Sequence, residues 1–250
     1  MQIKDYIIPT LFFISLLLLW EFIPVLFDVP KYIFPQLSII LKDINTNFTL
    51  YSSNLSTTFI EAIQGLILGS LVGFITGVFM AQNKTIAKTI LPYVVASNAI
   101  PIIAIAPLVV IWFGHGMTSK VFLAAFLCFF PISINTYKGL NEYNPIMKEL
   151  FDSYGSSKFE FLTKFKLRNA LPFILTGLKL SATYSVIGAI VAEFIGSSSG
   201  LGFGMLQASY NLNTPRLFGY IIISCLLGLI MYLSIAFIEY FINKKRIKNE

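Results

Sequence analysis

The stretch PIMKELFDSYGSSKFEFLTKFKLRNALP, residues 145–172, is the longest polar interval in an otherwise apolar chain. Eight charged side chains fall in it: Lys148, Glu149, Asp152, Lys158, Glu160, Lys164, Lys166 and Arg168. Long apolar segments lie on both sides. Hydrophobic residues make up 56% of the 250 positions and charged ones only 12%, about half the usual share in a soluble domain. Mean hydropathy is +0.77. A chain of this composition suits lipid, so an interval this polar sits in water and touches something there.

Working outward, apolar runs of about 20 residues each read as transmembrane helices. Six are expected, over residues 6–27, 58–80, 86–113, 120–137, 172–195 and 217–242. The first runs too long for a cleavable leader, and no small-x-small site follows it. Pro92, Pro101 and Pro107 interrupt the third. Proline in a membrane helix frees backbone carbonyls, which is tolerated where protein or a water-filled cavity satisfies them, so a broken helix facing the bundle interior is expected. Span two carries Gly65, Gly69, Gly73 and Gly77 on one stripe, which permits either a sliding or dimer contact or simple close packing. Residues 36–47 suggest a short interfacial helix. The glycines and serines of residues 196–204 suggest a tight re-entrant turn with no regular helix.

Basic residues set the orientation. With the N-terminus inside, fourteen of the 18 Lys and Arg fall on the inner side, leaving Lys31, Lys42, Lys120 and Arg216 outside. The positive-inside rule selects this arrangement. Both termini and the 145–172 interval then lie in the cytoplasm, and the basic end KKRIKNE reads as an inside stop signal. The fold class is all-α integral membrane protein, one domain over residues 1–250 with its core at about 58–242.

The same residues exclude several functions. A net charge of +6 reflects basic helix ends, not nucleic-acid binding. Cys128 and Cys225 fall in apolar runs without metal or redox spacing and read as core hydrophobes. His115 is the only histidine, so no metal or cofactor ligand set is visible. No G-x-x-x-x-G-K-[ST] loop is present, so ATP chemistry would need another chain. The G-S-S-S-G at residues 196–200 has the form of a nucleophile elbow but follows a membrane span with no acid–His pair.

Four further stretches carry a resemblance: LLLLWE at 16–21, IPIIAIAPLVVIWFGHG at 100–116, FFPISINTYKGL at 129–140 and VAEFIGSSSGLGFGML at 191–206. With the polar interval they are similar, over nearly the whole chain, to ATP-binding-cassette (ABC) importer permeases of the nitrate, sulfonate and taurine type. The interval resembles that family's cytoplasmic EAA loop: Glu149 stands six before Gly155, and Pro172 seventeen after it. It departs from the motif at Leu150 and Phe151, in place of two alanines, and at Arg168, in place of a proline.

The resemblance implies a non-enzymatic permease in a bacterial cell membrane. It implies a second permease copy (a homodimer), two ATPase subunits docked at the EAA loops and an external binding protein. Glu149, Leu150, Phe151, Asp152 and Gly155 would form the ATPase-coupling element. Gly155 would mark the turn at positive φ, and Phe151 and Phe159 would either face the partner or pack back on the membrane helices. Asn98, Pro101, Pro107, Glu61 and Glu193 are pathway candidates, the two acids being alternatively interhelical hydrogen-bonding groups. Lys179, read as the one cation within a span, would snorkel to the interface.

For the substrate, the sequence SNAIP at residues 97–101 and the placement of Glu61 four before Gly65 resemble permeases for thiamine-precursor pyrimidines or riboflavin. A sulfonate, taurine, nitrate or similar small anion is the alternative. A secondary transporter is the distant one, and it would show an intramembrane ionisable relay.

Overall fold

In the computed structural model, residues 4–248 are described, with side chains over residues 7–244; Lys245, Arg246 and Lys248 of the basic tail lie outside the described side chains. Helices account for all the regular structure among them. In chain order these are α1 (Lys4–Leu26), α2 (Leu37–Thr46), α3 (Phe48–Gln82), α4 (Lys84–Asn98), α5 (Ile102–Phe113), α6 (Met117–Asn141) and α7 (Pro145–Ser153). There follow α8 (Lys158–Glu160), a π-helical turn (Phe161–Lys166), α9 (Leu167–Gly196), α10 (Leu201–Tyr210) and α11 (Thr214–Lys248). Five helical runs are long and apolar enough to span a bilayer alone, and α4 with α5 forms a sixth candidate bent by 99°.

The glycine stripe settles how these helices pack. Gly65, Gly69, Gly73 and Gly77 are all buried, and a methyl group on any of them would collide with α6. At Gly65 it would meet Ala124, and at Gly69 the Ala125 carbonyl and Cys128. At Gly73 it would lie 2.7 Å from the Phe129 carbonyl, and at Gly77 2.6 Å from Thr136 Cβ. The stripe is therefore used up within the subunit, which takes the close-packing reading and leaves no glycine face for a second copy.

These partners also rise together along both helices, so α3 and α6 run parallel. Parallel neighbours require the intervening chain to return from one end of the bundle to the other, as a parallel pair of strands requires a crossover. The α4–α5 pair is thus a broken crossing and not a re-entrant loop. The break falls at Ala99–Pro101, with Pro92 and Pro107 accommodated inside the two helices.

Helix α9 runs antiparallel to α6: Gly139 of α6 lies against Phe173 and Ala170, and Gly188 of α9 against Leu123 and Ala124. Helix α11 runs antiparallel to α9, as Lys179 meets Glu239 and Gly228 faces Thr183. Helix α1 is attached at its C-terminal end, where Trp20 stacks on Phe34 and meets Phe218 edge-on, both at 5.8 Å. Among the described residues this gives five unbroken candidate crossings and the bent α4–α5 pair as the sixth. Their shared core holds Ala62, Ala182, Val186, Ala189, Leu201 and Tyr220.

Three expectations are corrected. Helix α3 starts at Phe48, ten residues before the expected span, because the polar side chains there find partners: Tyr51 Oη donates to Asp43 Oδ2 (2.7 Å) and Asn54 Nδ2 to Tyr220 Oη (2.8 Å). The glycine-rich segment is broken only at Ser197–Gly200; α10 then begins, and its Gly202 and Gly204 serve close approach to Glu193 and the Tyr220 ring. Cys128 is buried as expected, but Cys225 is exposed.

Gly69→Val is expected to destabilise the fold by about 3 kcal/mol, at the upper end for overpacking because the obstacle is backbone. Leu68→Val, on the exposed face, should cost well under 1 kcal/mol. Melting of the detergent-solubilised protein distinguishes the two, and equal melting temperatures would contradict the packing described.

Candidate functional site

The polar interval folds into a helical hairpin at the end of the bundle where α3 and α6 finish and α9 begins. Helix α7 starts with Asn144, whose Oδ1 accepts from the Ile146 amide (3.1 Å), and Pro145 occupies the first turn, where its missing N–H costs nothing. It stops in a Schellman motif. The Ser156 amide donates to the Phe151 carbonyl (3.1 Å) and the Gly155 amide to that of Asp152 (3.0 Å), with Gly155 at φ +69°, a value glycine adopts freely. A capping box follows: the Ser157 amide donates to Glu160 Oε2 (3.0 Å) and the Glu160 amide to Ser157 Oγ (3.2 Å). Both ends of the turn are thus fixed by local bonds.

The three sides of α7 differ. Phe151 packs back onto Phe161 (5.2 Å) and Phe165 (5.7 Å), which ties α7 to the π turn. Ile146, Leu150 and Tyr154, spaced four apart on one stripe, are exposed at 65%, 45% and 81%. Lys148 donates to Asp152 Oδ2 (2.7 Å) one turn away, and this carboxylate holds the Lys148 ammonium above its ordinary pKa. Glu149 borders the apolar stripe, exposed, with no hydrogen bond or ion pair among the described residues. Phe159, on the second arm, is 72% exposed. Of the two phenylalanines singled out from the sequence, one packs inward and the other stays open.

A second polar constellation lies at the opposite end, inside the bundle. Lys120 Nζ sits 3.1 Å from Glu61 Oε1, and both residues are buried. Glu193, beside Glu61, accepts from Thr58 Oγ1 (2.6 Å) and from the Gly202 amide (2.6 Å). Thr58 Oγ1 accepts from the Leu201 amide (2.8 Å), and Asn54 Oδ1 from the Gly200 amide (3.0 Å). Three side chains from α3 and α9 thereby satisfy the otherwise orphaned amides at the start of α10. Gly200, at φ +106° and packed on the Glu193 carboxylate, leaves no room for a side chain.

The sequence missed Lys120 as an intramembrane charge, since a lysine at the edge of an apolar run reads as an interface residue. It also set Lys179 to snorkel; instead Lys179 donates to Glu239 Oε2 at 2.6 Å, because α11 brings a carboxylate within reach. Asn98 and Pro101 lie elsewhere, at the exposed break between α4 and α5, and Pro107 sits one turn into α5, exposed as well; within this chain the broken helix therefore turns its prolines outward and not, as expected, to the bundle interior. The structure therefore keeps the residues expected to couple together on one hairpin, joins Glu61 and Glu193 in the buried clasp, and leaves the other three at and just beyond the bend. Among the described residues no group of His, Cys, Asp and Glu could hold a metal ion.

Residues 65–247 match the family described as the binding-protein-dependent transport system inner membrane component. The chain belongs to this family. It is 34% identical over 227 residues to a probable ABC transporter permease of Haemophilus influenzae, covering 91% of this chain and 93% of that one. It is also 34% identical to the formylaminopyrimidine transport permease ThiX of Halalkalibacterium halodurans, covering 92% of each. A putative aliphatic sulfonates permease of Bacillus subtilis shares 31% over 70% of this chain and 63% of its own. The fold is that of the MetNI methionine ABC transporter in an inward-facing form, with TM-score 0.68 and 17% identity over 76% of this chain and 95% of that one. As in these permeases, the chain is a multi-pass inner membrane component, and ATP hydrolysis belongs to a separate subunit.

Lys120→Met leaves the Glu61 carboxylate buried without its cation and is expected to cost about 3–5 kcal/mol, while the double change K120M/E61L should recover most of that loss. The measurement is melting in detergent, with Lys31→Met as an exposed control. A K120M loss no greater than the control's would remove the clasp from the stability of the fold.

Proposed function

We propose that this permease carries a heteroaromatic pyrimidine-type vitamin precursor inward, driven by ATPase subunits that dock on α7. The observation that supports the coupling role is the exposed Ile146–Leu150–Tyr154 stripe on a helix that Phe151 ties to the π turn. Apolar side chains standing open in water on a rigid helix favour burial in a groove, and Glu149 beside them suits a cation at the rim of that groove. Leu150, Asp152 and Gly155 belong to the same element: the first as an anchor, the second fixing Lys148, the third setting the turn. Phe151 acts from behind, through Phe161 and Phe165. Two ATPase chains, one for each of two permease copies, would hold a homodimer about a shared pathway, with a binding protein delivering substrate from the far side. With Lys120 and Lys179 taken up between helices, the remaining basic residues divide thirteen to three, which supports a cytoplasmic location for α7 and both termini.

ATP-driven closure of the ATPases would draw the two α7 helices together. Phe151 passes that motion to the π turn and α9, and α6 follows through its packing on α9. The bend at Asn98–Pro101, with Pro107 beyond it, supplies the exposed surface on which a second copy would enclose the pathway. Glu61 and Glu193 would close the outer end as a clasp that holds α10 against α3.

Two observations favour a pyrimidine-type substrate over a small anion. The alignment to the formylaminopyrimidine permease spans 92% of both chains, more than the sulfonate permease offers. The two cations drawn into ion pairs between the spanning helices, Lys120 and Lys179, are already neutralised by Glu61 and Glu239, so neither is free to compensate an anion.

Glu149→Lys and Leu150→Asp are each expected to abolish co-purification of the cognate ATPase while the permease still inserts in the membrane. Wild-type recovery of the ATPase with both variants would refute docking at this stripe. In proteoliposomes containing the ATPase and binding protein, ATP-dependent uptake of a formylaminopyrimidine is expected, with none of taurine. Taurine uptake at an equal rate would overturn the substrate assignment.

A further inference from the structure

A cavity of about 250 Å³ opens between the last residues of α3, the inner side of α7 and the π turn. Gln82, Tyr143, Lys148, Asp152, Lys158 and Lys166 line it. Lys148 is matched by Asp152 (2.7 Å), whereas Lys158 and Lys166 have no carboxylate partner among the described residues. Lys166 Nζ rests instead 4.7 Å from the centre of the Tyr143 ring and 5.6 Å from that of Phe161. Two ammonium groups therefore converge on one cavity with their charge uncompensated. The π turn between them under-rotates the helix, which lets Lys158 and Lys166 share a side although eight residues separate them.

We propose that this cavity binds a phosphate-bearing group, supplied in the membrane by the headgroup of an anionic phospholipid. Its depth agrees: Ala81 and Gln82 end a membrane-crossing helix, so the cavity floor lies at headgroup level. Basic pockets at the cytoplasmic ends of membrane helices have the charge that anionic headgroups seek. The apolar rings of Tyr143 and Phe161 hold the Lys166 ammonium without neutralising it, which leaves it available to a phosphate oxygen. At 100° per residue, Lys148 and Asp152 lie on the side of α7 opposite Leu150. A bound headgroup and a partner on the Ile146–Leu150–Tyr154 stripe can thus be present together, and the proposal does not rest on the docking of an ATPase.

The full-length chain in detergent, titrated with short-chain phosphatidylglycerol or phosphatidylcholine and read by native mass spectrometry, tests this. Phosphatidylglycerol should bind with one tight site per chain and phosphatidylcholine at least tenfold more weakly. The double variant K158Q/K166Q should lose about twentyfold in phosphatidylglycerol affinity, from two lysines near the headgroup. Lys84→Gln, on the same face but outside the cavity, should lose none, and unchanged melting of the double variant shows that it folds. Equal binding of the two lipids, or wild-type affinity in K158Q/K166Q, overturns the proposal. An inorganic phosphate arm separates the sources. Displacement of phosphatidylglycerol by millimolar phosphate, lost in the double variant, keeps the phosphate site and assigns it to soluble phosphate; failure to displace it supports the lipid.

Discussion

The approach of α3 to α6 is the constraint on which the rest of the molecule depends. In lipid there is no hydrophobic drive between apolar helices, so association comes from close packing and hydrogen bonds. Four glycines in step give α3 a smooth face along four turns, and α6 fills it with Ala124, Ala125, Cys128, Ile132 and Thr136. Because the two helices run parallel, this contact also dictates that α4 and α5 cross between them. Helix α6 then presents its other side to α9, where Gly139, Gly177 and Gly188 repeat the device. Three helices with small residues at each contact form a rigid slab, while α1, α11 and the outer side of α3 meet the surroundings with large apolar side chains.

The two ends of this slab are joined by different physics. At the α7 end the links are aromatic and tolerant of small displacement: Phe151, Phe161 and Phe165 form a triangle of rings within 5.7 Å of one another. At the other end they are charged and directional, with Lys120, Glu61, Glu193, Thr58 and Asn54 each committed to a named partner. A stack of rings can slide without leaving a group unsatisfied. A buried ion pair cannot, because separating its members exposes each to the full cost of desolvation. A displacement of α7, were one imposed, would therefore meet a compliant joint first and a stiff one last.

How much of this the sequence disclosed depended on whether the deciding contact was local. Five long apolar helices, the broken sixth candidate, the short helix α2, the turn at Gly155 and the polar hairpin were all readable from short windows, where apolar length, proline and glycine act on their own neighbourhood. The clasp was not. Glu61 and Lys120 are brought together by the glycine packing of helices far apart in the chain, and before that packing is known a lysine beside an apolar run is an interface residue. The same limit hid the start of α3, whose Tyr51 and Asn54 look like loop residues until Asp43 and Tyr220 are placed beside them. It hid α10 too: glycines that weaken an isolated helix are here required by neighbours that leave no room for a Cβ. Within the hairpin, the spacing of Glu149 and Gly155 was legible, but which of the two open alternatives Phe151 takes was not.

The parallel pairing of α3 with α6 has a consequence for how the protein is made. A membrane chain enters the bilayer in order, and an antiparallel neighbour is available as soon as the next span arrives. Here α3 enters with its glycine face uncovered, and the surface that fits it does not exist until α4 and α5 have crossed back and α6 has followed. Until then Glu61 stands in the bilayer without Lys120, and the carboxylate of Glu193 is still to be synthesised. Assembly of the core is thereby postponed past the most irregular crossing in the molecule. The bend at Pro101 must be in place before the first well-packed contact can form.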